Sequence, residues 1–160
     1  MKKMYFIAIY PPQEIIEEVK TFKNDAHITL FPPFSRELEL ESDIHIAFQK
    51  IDTSLSPFEM DLNGFGSFPN PKNPVIFVHP EDNVHLTELY QRVKQQFNFT
   101  NYSFTPHMTV GYRDLTWENY LKAWEKYKEK EYKTKFIVDK ILLLRYDGKW
   151  IPIAEKYLTD

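Results

Sequence analysis

HITL at residues 27–30 and HMTV at residues 107–110 are one pattern written twice, half the chain apart: histidine, an apolar residue, threonine, an apolar residue. In an extended strand successive side chains alternate between faces. His27 and Thr29 therefore share one face, opposite Ile28 and Leu30. His107 and Thr109 likewise oppose Met108 and Val110. Such a strand packs its apolar face against helices and offers a polar His-Thr face elsewhere. The chain has five His and ten Thr. Two of those His would carry Thr two positions on by chance roughly 3% of the time, so the pair calls for a physical reason.

The surroundings repeat as well. Residues 4–10, MYFIAIY, form a β-rich run ended by Pro11 and Pro12. Ile15, Ile16, Val19 and Phe22 then recur at helical spacing, which predicts a helix over about 13–23. HITLF follows as a strand, with Pro32 and Pro33 as its stop. In the second half, PVIFVHP at 74–80 reads as a strand. Leu86, Leu89, Tyr90, Val93 and Phe97 mark a helix over about 83–97. HMTVGY, 107–112, is again a strand.

Strand–helix–strand with His-x-Thr thus occurs at 4–31 and at 74–112. Between the units lie a helix on Ile44, Ala47, Phe48 and Ile51, with Ser42 as its cap, and a strand over 57–63 broken by Gly64-Phe65-Gly66. After them come a helix on Trp117, Tyr120, Leu121 and Trp124, capped by Asp114 or Thr116, and three strands. These are 132–138, 140–146 and 149–157, the last two joined at Asp147-Gly148. The expected fold is α+β and bilobal: two pseudo-symmetric small antiparallel-type sheets, backed by helices, around a central cleft. The length fits a single domain over 1–160.

Composition bounds the function. Hydrophobic residues at 42% and charged residues at 27% are those of a soluble globular chain, neither disordered nor a membrane protein. With a net charge of −3, extended nucleic-acid binding is not expected, because it needs many Lys and Arg to displace counterions. A small site holding one or two phosphates remains open. The absence of cysteine rules out disulfides, thiol nucleophiles and thiolate metal sites. MKKMYFIAIYPPQEI has too short an apolar run for a signal peptide, and it is read as a first strand of a cytoplasmic protein.

If the lobes face each other, two imidazoles and two hydroxyls meet. Imidazole pKa values near 6.5 let one His accept a proton and the other donate one around neutral pH. One takes a proton from an attacking water or hydroxyl, and the other protonates the leaving oxygen. The Thr hydroxyls can donate to non-bridging phosphate oxygens, where charge builds up. This scheme requires no metal or cofactor. Neither His27 nor His107 has a partner at a usual metal-ligand spacing such as i, i+4.

These residues resemble the signature of the 2H phosphoesterase superfamily, named for two His-x-Thr/Ser motifs. It includes bacterial 2′-5′ RNA ligase-like proteins and cyclic nucleotide phosphodiesterases. The resemblance covers most of the chain: motif spacing, the strand–helix repeat, GFGSFPNPKNPVIFV and the closing β segment. The small bacterial members are the most similar. The resemblance implies a bilobal α+β fold with a central cleft and metal-independent action on 2′-5′ or 2′,3′-cyclic phosphate linkages. It makes His27 and His107 the acid/base pair, and Thr29 and Thr109 the phosphate binders. Short, weakly basic segments before the first motif, together with the net charge, disfavour a large RNA. The expected substrate is a small nucleotide or a short RNA end. Two other functions fit the residues: a non-catalytic module binding a nucleotide or terminal phosphate, and a 2′-5′ RNA ligase.

Phe31, Tyr112 and Arg113 are candidates to flank the groove, stacking on a base or pairing a phosphate. Core packing for the rings and a solvated charge for Arg113 explain them equally well. His45 and His85 are expected on helix surfaces, His79 at a strand end and Lys72 in a surface loop, while a sheet-edge position explains Arg145 as well as a place at the groove.

Overall fold

Both His-x-Thr motifs run into strands. The computed structural model describes residues 3–19, 26–34, 41–98, 104–111 and 115–159. Along the chain these form β1 (Tyr5–Ile9), α1 (Gln13–Val19), β2 (Ile28–Phe34), α2 (Glu41–Gln49), β3 (Phe58–Phe68) and β4 (Val75–Pro80). Then come α3 (Val84–Phe97), β5 (Met108–Gly111), α4 (Trp117–Tyr127), β6 (Lys133–Val138), β7 (Lys140–Tyr146) and β8 (Trp150–Tyr157).

The strands form one strongly curled antiparallel sheet in the order β6-β3-β4-β5-β2-β1-β7-β8. It divides into two halves, β6-β3-β4-β5 and β2-β1-β7-β8, each headed at the junction by its His-x-Thr strand. In both halves the next strand inward is the one joined to it through a helix, β4 by α3 and β1 by α1. The two lobes expected from the repeat are therefore present, and β2 and β5 meet with Ile28 opposite Met108 to make their sheets continuous.

Alternation divides the side chains as the motifs require. Ile7, Ile9, Ile28, Leu30, Met108, Val110, Ile76, Val78, Ile141 and Leu143 lie in one buried cluster with the helices. The helices contribute Ile15 and Val19, Ile44 and Phe48, the α3 stripe Leu86, Leu89, Tyr90, Val93 and Phe97, and Tyr120 and Ala123. Each such side chain taken from water contributes about 1.5–3 kcal/mol. All four described helices thus lie on one face of the sheet, and the His-Thr face is the other.

Side-chain caps begin two of the helices. Asn83 caps α3, its side-chain oxygen accepting from the backbone N–H of His85 at 2.9 Å and of Leu86 at 3.2 Å. Thr116 caps α4, accepting from Asn119 N–H at 3.1 Å. Ser42, expected as the cap of α2, instead lies inside it as its second residue. At the far end of α2, the Lys156 ammonium of β8 donates to the carbonyls of Gln49 and Ile51, which the helix leaves unpaired. Phe22 and Asp114 lie outside the described residues.

Two expected breaks are absent. β2 continues through Pro32 and Pro33, because its pairing steps from Phe31 opposite Ile7 to Phe34 opposite Tyr5. The two residues lacking an N–H sit where the ladder is interrupted, and proline's fixed φ suits an extended chain. β3 continues through Gly64, whose φ of 79° supports a bulge between Leu62 and Phe65 instead of ending the strand.

Candidate active site

The register around Ile28 and Met108 builds the site. In an antiparallel pair, residues flanking a matched position are themselves matched in crossed order. One step from Ile28–Met108, His27 falls opposite Thr109, and Thr29 falls opposite His107. All four share the face away from the helices, because Ile28 and Met108 point into the core. Each histidine thus stands across the seam from the threonine of the other lobe. Both Thr side chains are half-buried, partly dried but reachable.

The two histidines are held differently. His107 Nδ1 lies 2.8 Å from the carbonyl oxygen of Thr105. A carbonyl only accepts, so Nδ1 carries the proton and Nε2 is the nitrogen available for proton exchange. Pro106 restricts Thr105 to extended backbone and so helps aim that carbonyl. The ring is half-buried, with Phe68 edge-on at 5.1 Å and Phe77 at 5.6 Å. Phe77 lies over Gly66, where an added Cβ would come within 2.5 Å of its Cζ. His27 is more enclosed, at 9% exposure, between Phe6 at 5.0 Å and a stacked Tyr10 at 5.2 Å.

The pseudo-symmetry extends outward. Ala8 lies beside Thr29, as Phe77 lies beside Thr109. One step further, Tyr10 falls beside His27 and His79 beside His107. His79 is exposed and shares the groove face with Phe77, a placement that the reading of VHPE as a strand end did not reveal. Phe6, Tyr10, Phe68 and Phe77 were missed as well. Alternation in MYFIAIY does separate Phe6, Ala8 and Tyr10 from Tyr5, Ile7 and Ile9, but only the pairing of β1 with β2 puts that set against His27.

Phe31 is a correction. Its ring is 1% exposed and packs against Phe34 at 5.1 Å and Phe97 at 5.6 Å. So enclosed, it has no face to offer a substrate. Tyr112 and Arg113 lie outside the described residues. Lys72 is exposed in a turn, and His45 and His85 are exposed on α2 and α3. Arg145 Nη1 lies 2.9 Å from both carboxylate oxygens of Glu41, which also accepts from the Tyr5 hydroxyl at 3.0 Å. Tyr5 pairs with Arg145 on the helix side of the sheet, so this cation is engaged away from the groove. Among the described residues no three His, Asp or Glu side chains are grouped to hold a metal ion, and no helix is long and apolar enough to cross a membrane.

Two histidines and two threonines crossed at the seam of a bilobal antiparallel sheet define a two-histidine α+β protein. The profile of the 2′-5′ RNA ligase superfamily matches residues 16–150, and the chain belongs to that family, the 2H phosphoesterases. A proposed phosphoesterase of Bacillus mycoides (strain KBAB4) is 30% identical over 129 residues, spanning 78% of this chain and 73% of its own. In fold the chain is similar to E. coli LigT complexed with 3′-AMP, with a TM-score of 0.76, 18% identity and full coverage of both chains. The same E. coli protein complexed with ATP superposes with a TM-score of 0.70 and 16% identity over 99% of each chain.

Proposed function

We propose that the protein is a metal-independent phosphoesterase hydrolysing a 2′,3′-cyclic phosphate or 2′-5′ linkage of a nucleotide or short oligonucleotide. The crossed register carries this reading: His27 beside Thr109 and Thr29 beside His107, on the open face of the sheet. A phosphate between the strands meets a hydroxyl donor and an imidazole from each lobe. One neutral imidazole accepts a proton as water attacks phosphorus. The P–O bond to the sugar breaks, and the second imidazole, protonated, delivers its proton to that oxygen. Thr29 and Thr109 donate to the non-bridging oxygens as their charge grows. The net charge of −3 favours a small substrate over a long RNA. The small nucleotides bound by E. coli LigT are of that size.

The test is hydrolysis of 2′,3′-cyclic nucleotides and 2′-5′ dinucleotides in EDTA across pH 5 to 9. Expected are a bell-shaped profile and losses of about 10²–10⁴-fold in both His27→Ala and His107→Ala. Full activity in either variant would remove the two-histidine mechanism.

A further inference from the structure

The helix-free face of the sheet is not uniformly polar. On the β1–β7–β8 side it carries a second apolar cluster: Phe6, Ala8 and Leu144 are buried, and Tyr10, Leu142 and Trp150 pack against them. Phe6 pairs with Leu144, Ala8 with Leu142, and Tyr146 with Trp150 across the ladder, so these side chains stand in adjacent rows. Trp150 meets Phe6 edge-on at 4.5 Å, and Tyr146 meets Trp150 at 5.2 Å. Tyr146 is 41% exposed, and Trp150 is half-buried. None of the four described helices covers this patch, since all pack on the opposite face.

The patch is continuous with the candidate site. Phe6 touches His27 at 5.0 Å on one side and Trp150 on the other, so a single ring separates the imidazole from the indole. The other lobe carries its own rings in the corresponding place: Val75, the counterpart of Phe6, pairs with Phe68, which with Phe77 packs against His107. An aromatic ring one sugar away from a phosphate held beside His27 therefore has the patch of β7 and β8 within reach.

We infer that Trp150 and Tyr146, whose rings meet at 61°, form the aromatic platform for the nucleobase of the substrate, which stacks on one ring and meets the other edge-on, with Phe6 packed edge-on against Trp150. The inference rests on the reading of the His-Thr groove as a nucleotide site. Aromatic stacking tolerates any base, because every base has a π face. The platform therefore contributes affinity for nucleotides over baseless phosphates and little choice among bases.

Calorimetric titration with 3′-AMP and with ribose 5-phosphate tests it. The wild type should bind 3′-AMP about tenfold or more tighter than ribose 5-phosphate, as expected for one stacked base. Trp150→Ala and Tyr146→Ala should erase most of that advantage and leave ribose 5-phosphate binding unchanged, while Trp150→Phe retains it. Tyr146, being exposed, supplies a variant that keeps the fold should Trp150→Ala not. Equal 3′-AMP affinity in the wild type and both alanine variants, or no preference for 3′-AMP in the wild type, overturns the platform. Cyclic-nucleotide hydrolysis on the same samples separates this from the proposed reaction. Base-dependent binding without turnover sinks the hydrolysis and keeps the platform. Turnover with KM unchanged in both alanine variants does the reverse.

Discussion

Ile28 lies opposite Met108 where β2 meets β5, and both side chains are fully buried. That pair joins the two lobes and sets the crossed order of the residues beside it. The site is therefore mechanically tied to one apolar contact across the seam.

Met108→Ala should cost about 2–5 kcal/mol, the range for deleting a buried Met, Leu or Ile side chain down to Ala. Ile28→Val should cost only about 0.5–1.5 kcal/mol. Urea denaturation of both variants measures the difference. If Met108→Ala is no worse than Ile28→Val, the seam is not packed as described.

Thr29→Val and Thr109→Val keep shape and strand propensity while removing one hydroxyl each. Both residues are half-buried beside a histidine of the other lobe. Loss of a donor to a charged transition state lowers kcat by about 10²-fold. Melting temperatures should stay near wild type. A change confined to KM would place the hydroxyls in ground-state binding instead.

Gly66→Ala puts a methyl against the Phe77 ring, which borders His107. The colliding atoms are at the far end of that side chain, so the ring can swing and the fold survives. It swings beside the imidazole. The expected result is a kcat several-fold lower with a small loss of stability. Phe77→Leu in the same background, giving the methyl room, should restore part of the rate.

Glu41 is held below its ordinary value, first by the hydrogen bond from Arg145 and also by that from Tyr5, against an opposing effect of burial. A depressed carboxylate contributes stability that is present above the unfolded value near 4.5 and lost as pH falls through the folded value. Glu41→Gln should therefore lower the melting temperature at neutral pH, and the gap to wild type should close on acidification below 4.5. Thermal melts from pH 3 to 8 check this; a gap independent of pH would show that the pair adds nothing through charge.

The sequence by itself determined what is local. Period-two alternation assigned His27 with Thr29 and His107 with Thr109 to one face of each strand, and helical spacing placed α3 and α4, leaving Asp114 and Thr116 both open as the cap of α4 until the structure showed Thr116 there. Repetition of strand–helix–strand announced two related lobes. The tertiary structure decided register and adjacency. Nothing in MYFIAIY or in KWIPIAEKY shows that Phe6 lies between His27 and Trp150, since those residues are far apart in the chain and meet only through two ladders. Phe31 follows a site motif directly and still ends in the core, because the pairing of β2 with β1 shifts at that point. Side-chain alternation is a property of one strand and can be read along it. Which strand lies beside it, and in what register, depends on how the whole apolar face is buried.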